Sequence, residues 1–250
     1  MTSLRNKVAV VIGASSGVGR ATVTQLLAEG ARVTAIARGA EGLARLSAET
    51  KGVAQTIPAD ATDPNTANRV LRELRPDLVI LSAGQIPNMQ PIDEQTWETF
   101  SEPWNSDMKA AFHVVQSALT VPLAPGSTVV IVSSGAAING SPLSGGYAGA
   151  KRMQWLLAGY AQKISDAKKL GIRFVAVVPT QLIQDTPIGD GASAAYGALQ
   201  GISGSDFMKR FDVPLDVEKV GAAILSALRG ELEATKTALG VNGKGAEALA

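Results

Sequence analysis

The sequence contains no cysteine. Disulfides, thiolate nucleophiles and cysteine-ligated metals are therefore excluded. It has one histidine, His113, so metal sites built on several imidazoles are excluded too. A Ser-His-Asp mechanism would have to use that residue, and a packed or surface role for His113 is the expectation. An excess of charge is also missing: 23 basic and 22 acidic residues leave a formal net charge of +1. Nucleic-acid binding needs a clustered basic face, and an anionic membrane surface needs the same, so neither partner is expected. No apolar run reaches membrane-spanning length, and Val8 to Ile12 is too short for a signal segment or a span. The expectation is a soluble, cytoplasmic protein.

What is present is core material. Hydrophobic residues make up 46% of the 250 positions and charged residues 18%. That length suits one undivided α/β domain. Strand-like runs alternate with helix-like ones. The pattern predicts strands at Val8–Ile12, Arg32–Ala37, Gln55–Asp60, Leu78–Leu81, Thr128–Val132, Arg173–Val178 and, briefly, Thr235–Leu239. Helices are predicted at Gly19–Glu29, Gly42–Thr50, Thr66–Arg75, Asn105–Leu119, Tyr147–Leu170 and Val217–Leu228. Nearly continuous apolar strands between helices imply a parallel sheet covered on both faces. The fold class is thus α/β, a Rossmann-type doubly wound sheet. In such sheets ligands lie beyond the carboxyl ends of the strands, which directs attention to the residues that follow each strand.

After the first strand comes Gly13-Ala14-Ser15-Ser16-Gly17-Val18-Gly19. Glycines allow a tight turn and a close approach of backbone to a pyrophosphate, and the helix that follows offers free N–H groups and a partial positive charge. Alone, this is equally an ordinary glycine-rich turn; its place at the first strand-to-helix junction makes it a dinucleotide site. At the end of the second strand a carboxylate would select NAD by bonding the ribose. Arg38 stands there instead. It can pair with a 2′-phosphate, with Arg20 assisting, or be a solvated surface charge. The expectation is NADP(H) in preference to NAD(H). Asp60 and Ala61, after the third strand, are placed to meet adenine, though Asp60 equally suits a turn or helix cap. Ser82-Ala83-Gly84, after the fourth, puts small residues where a cofactor would lie against backbone.

Tyr147 and Lys151 are four residues apart and share a helix face. Tyrosine titrates near ~10 when unperturbed, and a fixed cation favours its ionised form, making it a usable acid or base. By itself such a pair is more often a surface pair. Ser133-Ser134 ends the fifth strand, where a hydroxyl can bond a substrate carbonyl or begin a loop.

Taken together, Gly13-x-x-x-Gly17-x-Gly19, Asp60, Ser82-Ala83-Gly84, Ser134 thirteen residues before Tyr147, and Tyr147-x-x-x-Lys151 resemble the short-chain dehydrogenase/reductase family over nearly the whole chain. The resemblance implies a sheet of about seven parallel strands, with subunits in homodimers or homotetramers paired through the helices 105–119 and 147–170. It implies Tyr147 as proton donor or acceptor, Lys151 acting on Tyr147 and on the nicotinamide ribose, and Ser134 polarising the substrate oxygen. Ile12 and Ser82 replace the family's usual Thr and Asn. The larger departure is Asp107, which takes the place of the family's catalytic Asn; Asn105 would point elsewhere on the helix. Asp107 would hold the relay water but also stabilise protonated Lys151, or be an ordinary helix residue. After the sixth strand Pro179-Thr180-Gln181-Leu182-Ile183 replaces the usual Pro-Gly, with Ile183 expected at the nicotinamide and Thr186 at its amide or the phosphates.

Residues 185–212 are rich in small residues and expected to be a substrate lid. Pro87, Met89, Trp97 and Trp104 are candidate pocket walls, core packing being the plainer reading of the tryptophans. The substrate is expected to be a small or medium, largely apolar carbonyl or alcohol. A catalytically weak dinucleotide-binding sensor is the alternative, supported by Asp107 and the altered Pro179-Thr180 segment. A hydrolase on the same fold lacks a nucleophile elbow.

Overall fold

The computed structural model describes residues 2–249. Helices and strands alternate: β1 (Val8–Ile12), α1 (Gly17–Ala28), β2 (Arg32–Ala37), α2 (Ala40–Glu49), β3 (Gln55–Pro58), α3 (Pro64–Leu74), β4 (Leu78–Leu81), α4 (Trp97–Pro103), α5 (Lys109–Thr120), β5 (Thr128–Val132), α6 (Ala136–Asn139), α7 (Gly146–Ala167), β6 (Arg173–Pro179), α8 (Pro187–Leu199), α9 (Gly204–Met208), α10 (Val217–Leu228), β7 (Ala238–Asn242) and β8 (Gly245–Ala248). The sheet order is β3-β2-β1-β4-β5-β6-β7-β8. The first seven strands in that order are parallel, as expected; the eighth pairs with β7 in antiparallel fashion. That edge strand went unpredicted because Gly245–Ala248 is short, exposed along its length and carries no apolar alternation.

Alternation along each strand divides the core into two layers. Ala9 and Val11 of β1 face Val23 and Leu26 of α1 and Ile224 of α10. Val10 and Ile12 face the other way, into the layer of Val70, Val114 and Ala158 from α3, α5 and α7. Successive strand side chains point to opposite faces, so each central strand must be apolar at every position to serve both layers. The β1, β4 and β5 boundaries matched expectation for that reason.

Order reverses at β1, whose neighbours are β2 on one side and β4 on the other. A crevice opens at such a switch point because the connections leave on opposite faces of the sheet.

The helix expected at 105–119 is two pieces. Its first turn, Trp104–Met108, is wound as a π-helix before α5 begins. This wider turn carries one more residue than an α-turn and changes which side chains face inward. Residues 185–212 hold two helices, α8 and α9. Thr186 caps α8 ahead of Pro187, and Ser203 caps α9; both follow the usual start signals of a helix.

Candidate active site

One cleft of about 600 Å³ runs along the carboxyl ends of the strands, from Arg38 and Asp60 at one end to Ser134, Tyr147 and Ile188 at the other. Its first end is made by the glycine turn. Gly13 has φ +88°, and a Cβ there would lie 2.3 Å from the Ala83 backbone nitrogen. The turn is therefore pressed against the end of β4. Gly17 has φ +52° with open space beyond it. Ser16 occupies the N-cap of α1 but makes no side-chain cap bond, and the first turn contains no acidic residue. The unpaired N–H groups of an α-helix N-terminus attract anions, so this end fits a diphosphate.

Ser15, Ser16, Gly17 and Val18 line the cleft with Gly13; Ser82, Ala83 and Gly84 line it from β4. Gly19 does not. Its added Cβ would lie 2.2 Å from the Gly13 carbonyl oxygen, so it serves the packing of helix on turn. Arg38 lines the cleft, but Arg20 does not: its guanidinium is paired with Glu49 of α2. The expected assistance from Arg20 is thus corrected. Asp60 and Ala61 lie in the lining. The Asp60 Oδ1 accepts from the Thr62 N–H and hydroxyl, both at 2.9 Å. That backbone bond, with the Thr62 hydroxyl and the charges of Arg38 and Lys109, outweighs the opposing effect of burial and holds the carboxyl below its ordinary value.

At the other end the side chains are buried. On α7, Tyr147, Ala150, Lys151, Gln154, Ala158 and Ala161 face inward at helical spacing. The Tyr147 ring lies beneath the Lys151 ammonium, 5.5 Å from Nζ to the centroid. Ser133 donates to the Lys151 carbonyl at 2.7 Å, tying β5 to α7. Ser134 is the half-buried member of the pair, its Oγ accepting from the Ala136 N–H at 3.3 Å.

Asp107 enters this centre from the π-turn. Its Oδ2 is 3.0 Å from Lys151 Nζ, with side-chain exposures of 0% and 5% respectively. The approach is off the hydrogen-bond line, so the attraction is mainly between charges. Oδ1 accepts from the Gln85 N–H at 2.8 Å and from the Ser106 hydroxyl at 2.9 Å. The Asp107 carbonyl accepts from Gln154 Nε2 at 2.8 Å. Burial pushes the Lys151 ammonium down, but the charge of Asp107, with a contribution from Tyr147, outweighs it and holds Lys151 above its ordinary value. Asn105 is exposed and bonds Ser101, as expected.

Pro179, Ile183 and Thr186 all line the cleft. The Thr186 hydroxyl, however, is engaged in the α8 cap: it donates to the Ile183 carbonyl at 2.8 Å and accepts from the Gly189 N–H at 3.1 Å. The proposed walls Pro87, Met89, Trp97 and Trp104 are absent from the lining, which uses Gln85, Ile86, Ser106, Gln181, Leu182 and Ile188 instead. Trp97 is 73% exposed, and Trp104 sits against Gly149; neither is a core residue. In the predicted lid, Tyr196 bonds Ser141 and stacks on Phe207, while Pro187, Ile188 and Gly189 reach the cleft. Both ring nitrogens of His113 are buried without a partner, and its ring lies edge-on to Phe112. The residues missed from sequence are Gln85, Gln181 and Ser106. Their amides and hydroxyl follow strands or begin helices, where polar residues are common, so no local signal set them apart.

Residues 7–195 match the family described as short chain dehydrogenase. An uncharacterized oxidoreductase of Staphylococcus aureus is 32% identical over 155 residues, 58% of this chain and 62% of that protein. L-xylulose reductase of Mesocricetus auratus is 32% identical over 130 residues, 52% of this chain and 53% of that one. The chain therefore spans about half to three-fifths of the length of these curated relatives. Among solved structures, levodione reductase superposes with a TM-score of 0.83 at 21% identity, covering 96% of this chain and 97% of that one. An actinorhodin polyketide ketoreductase with NADPH superposes with a TM-score of 0.80 at 21% identity, covering 97% and 98%. At such identities the likeness establishes the shared fold. The match over 7–195 carries the motifs from the glycine turn to Lys151, and the chain belongs to the short-chain dehydrogenase/reductase family of oxidoreductases.

Proposed function

We propose that the protein is an NADP(H)-dependent oxidoreductase acting on a small or medium carbonyl or alcohol. The observation that carries this reading is that Ser134, Tyr147 and Lys151 line the same cleft as the uncapped α1 N-terminus. A bound nicotinamide cofactor supplies or accepts hydride. Tyr147 Oη gives a proton to the carbonyl oxygen in reduction and removes it from the alcohol in oxidation. The Ser134 hydroxyl donates a hydrogen bond to the same oxygen, favouring the charge that grows there. Lys151 holds a fixed positive charge beside the tyrosine ring, and Asp107 holds Lys151 in place. The open Arg38 guanidinium and the lack of a carboxylate at the end of β2 support NADP(H). Residues 185–212 then close over the substrate as a lid, with Ile188 toward it.

Two relatives support a carbonyl substrate by their names, the L-xylulose reductase and carbonyl reductase [NADPH] 2 of Sus scrofa; the latter is 33% identical over 108 residues, 43% of this chain and 44% of that protein. Exposed Phe112, Tyr160 and Ile164 on α5 and α7 support pairing of subunits through these helices, which sedimentation would measure. Among the described residues no helix is long and apolar enough to cross a membrane.

The test is oxidation of NADPH, followed by absorbance, with a panel of ketones, aldehydes and quinones. Turnover that disappears in Tyr147→Phe is expected. The Asp107–Lys151 ion pair favours a second reading, a dinucleotide-binding sensor in which the lysine charge is already satisfied. NADPH binding without turnover across the panel would establish it.

A further inference from the structure

Two glutamines line the cleft, and each has half of its amide already engaged. Gln181 follows β6, and its Oε1 accepts from the Gly243 N–H at 2.8 Å. A backbone N–H can bond only the oxygen end of the amide, so the NH2 end is left over. The anchor is rigid: a Cβ on Gly243 would lie 1.8 Å from the Val213 carbonyl oxygen, so the β7–β8 turn is packed tightly on the segment before α10. Gln85 is engaged the opposite way. Its Nε2 donates to Glu102 of α4, leaving Oε1 free. Among the described residues neither free end has a partner, and both residues line the cleft.

Their positions flank the reacting centre. The Gln85 backbone N–H holds Asp107, which contacts Lys151. Gln181 is two residues after Pro179, whose carbonyl oxygen lies 3.0 Å from where a Cβ of Gly135 would be; Gly135 directly follows Ser134. One glutamine is thus tied to the Asp107–Lys151 side and the other to the Ser134 side. Ile86, Leu182 and Ile188 supply apolar wall to the cleft, the Glu102 carboxylate lies behind the Gln85 amide that it accepts from, and the two charged side chains in the lining here, Asp107 and Lys151, are paired with each other.

We infer that the reacting end of the cleft is specific for a neutral α-hydroxy carbonyl, its hydroxyl received by a fixed donor, Gln181 Nε2, and a fixed acceptor, Gln85 Oε1. A hydroxyl both accepts and donates, which the two free amide ends match; a simple alkyl ketone leaves both unpaired. The inference rests on the reductase reading and replaces the expectation of a largely apolar substrate.

The experiment compares 3-hydroxybutan-2-one with 3-methylbutan-2-one, which differ by hydroxyl against methyl. With NADPH, kcat/KM is expected to favour the hydroxyketone at least tenfold, mostly through KM. Gln181→Glu keeps the acceptor for Gly243 and removes the donor; Gln181→Met and Gln85→Met remove each amide. Each variant should lower the ratio of the two kcat/KM values by about three- to tenfold, the range for one neutral hydrogen bond. Melting temperature checks that each variant folds. Equal use of the two ketones by the parent protein, or a ratio unchanged in all three variants, overturns the inference. Binding of butane-2,3-diol and 3-methylbutan-2-ol to the NADPH-loaded protein, titrated by NMR, is read separately from turnover. Preference for the diol, lost in the variants, supports the glutamine assignment even where no carbonyl is reduced, and then only the reductase reading fails. Turnover of both ketones with no preference in rate or binding removes the glutamine assignment and leaves that reading standing.

Discussion

At the glycine-turn end of the cleft, the groups on offer to an anion are backbone N–H donors and one open guanidinium, Arg38. At the reacting end they are side chains, and two of them, Asp107 and Lys151, are charges buried almost completely. The difference is one of cost. Uncapped N–H groups at a helix start remain near solvent and are cheap to keep. A buried charge is tolerable only beside its partner, because removing one leaves the other desolvated and unpaired. The first end can therefore change its ligand preference by a single substitution. The second resists change, since its members depend on one another.

The contrast is sharpest in Tyr147→Phe. Loss of the proton-transferring hydroxyl should reduce kcat about 10²- to 10⁴-fold while leaving NADPH binding at the other end intact, measured by fluorescence titration. If binding falls as steeply as kcat, the two ends are not separate in the way described. Lys151→Met comes next. Asp107 would be left buried without its cation, with a loss of stability of about 3–5 kcal/mol, seen as a lower urea midpoint. Adding Asp107→Leu should restore part of it. A double variant no more stable than the single one would break the claim of mutual dependence.

Asp107→Asn tests the same pair through pH. In the parent protein Lys151 is held above its ordinary value of 10.5. Its contribution to stability is fully present below that ordinary value and is lost as pH rises through the folded-state value. With asparagine the opposing charge is gone, and burial lowers the lysine instead. The stability deficit of the variant should thus be largest near neutrality and narrow as pH rises, measured by denaturant unfolding from pH 7 to 10.5. A deficit independent of pH would refute the account.

Smaller effects belong to the open end. Arg38→Ala should raise the KM for NADPH about 10- to 100-fold, the range of a lost charge-assisted bond, with little change for NADH; equal changes would remove the NADP assignment. Arg20→Ala should alter the KM for NADPH by less than about twofold, because Arg20 is committed to Glu49 on the surface, where ion pairs contribute little.

Legibility in the sequence follows the same division. Val8–Ile12, Leu78–Leu81 and Thr128–Val132 could be read because a central strand buried on both faces admits almost nothing polar. α10 was read to its ends, Val217 and Leu228, from its apolar periodicity. The start of α8 escaped, although Thr186 and Pro187 are a capping residue and a first-turn proline, because the run of small residues after them was read only as a substrate lid. Asp107 could be placed near Lys151 through the resemblance, but the π-turn at 104–108 that carries it was not legible, because helix winding of this kind depends on what packs against it.

By itself the sequence determined the alternation of strands and helices, the glycine turn, the four-residue spacing of Tyr147 and Lys151, and the absence of thiol or multi-histidine chemistry. These are local or compositional properties, fixed once residue order is known. Tertiary structure alone decided that Ser133 braces α7, that Arg20 pairs with Glu49 while Arg38 stays open, that Asp107 is buried from a π-turn, and that Gln85 and Gln181 line the cleft with opposite halves of their amides engaged. Each of these depends on which partner arrives from a distant part of the chain, and a side chain's chemistry is set by the bonds that partner leaves unfilled.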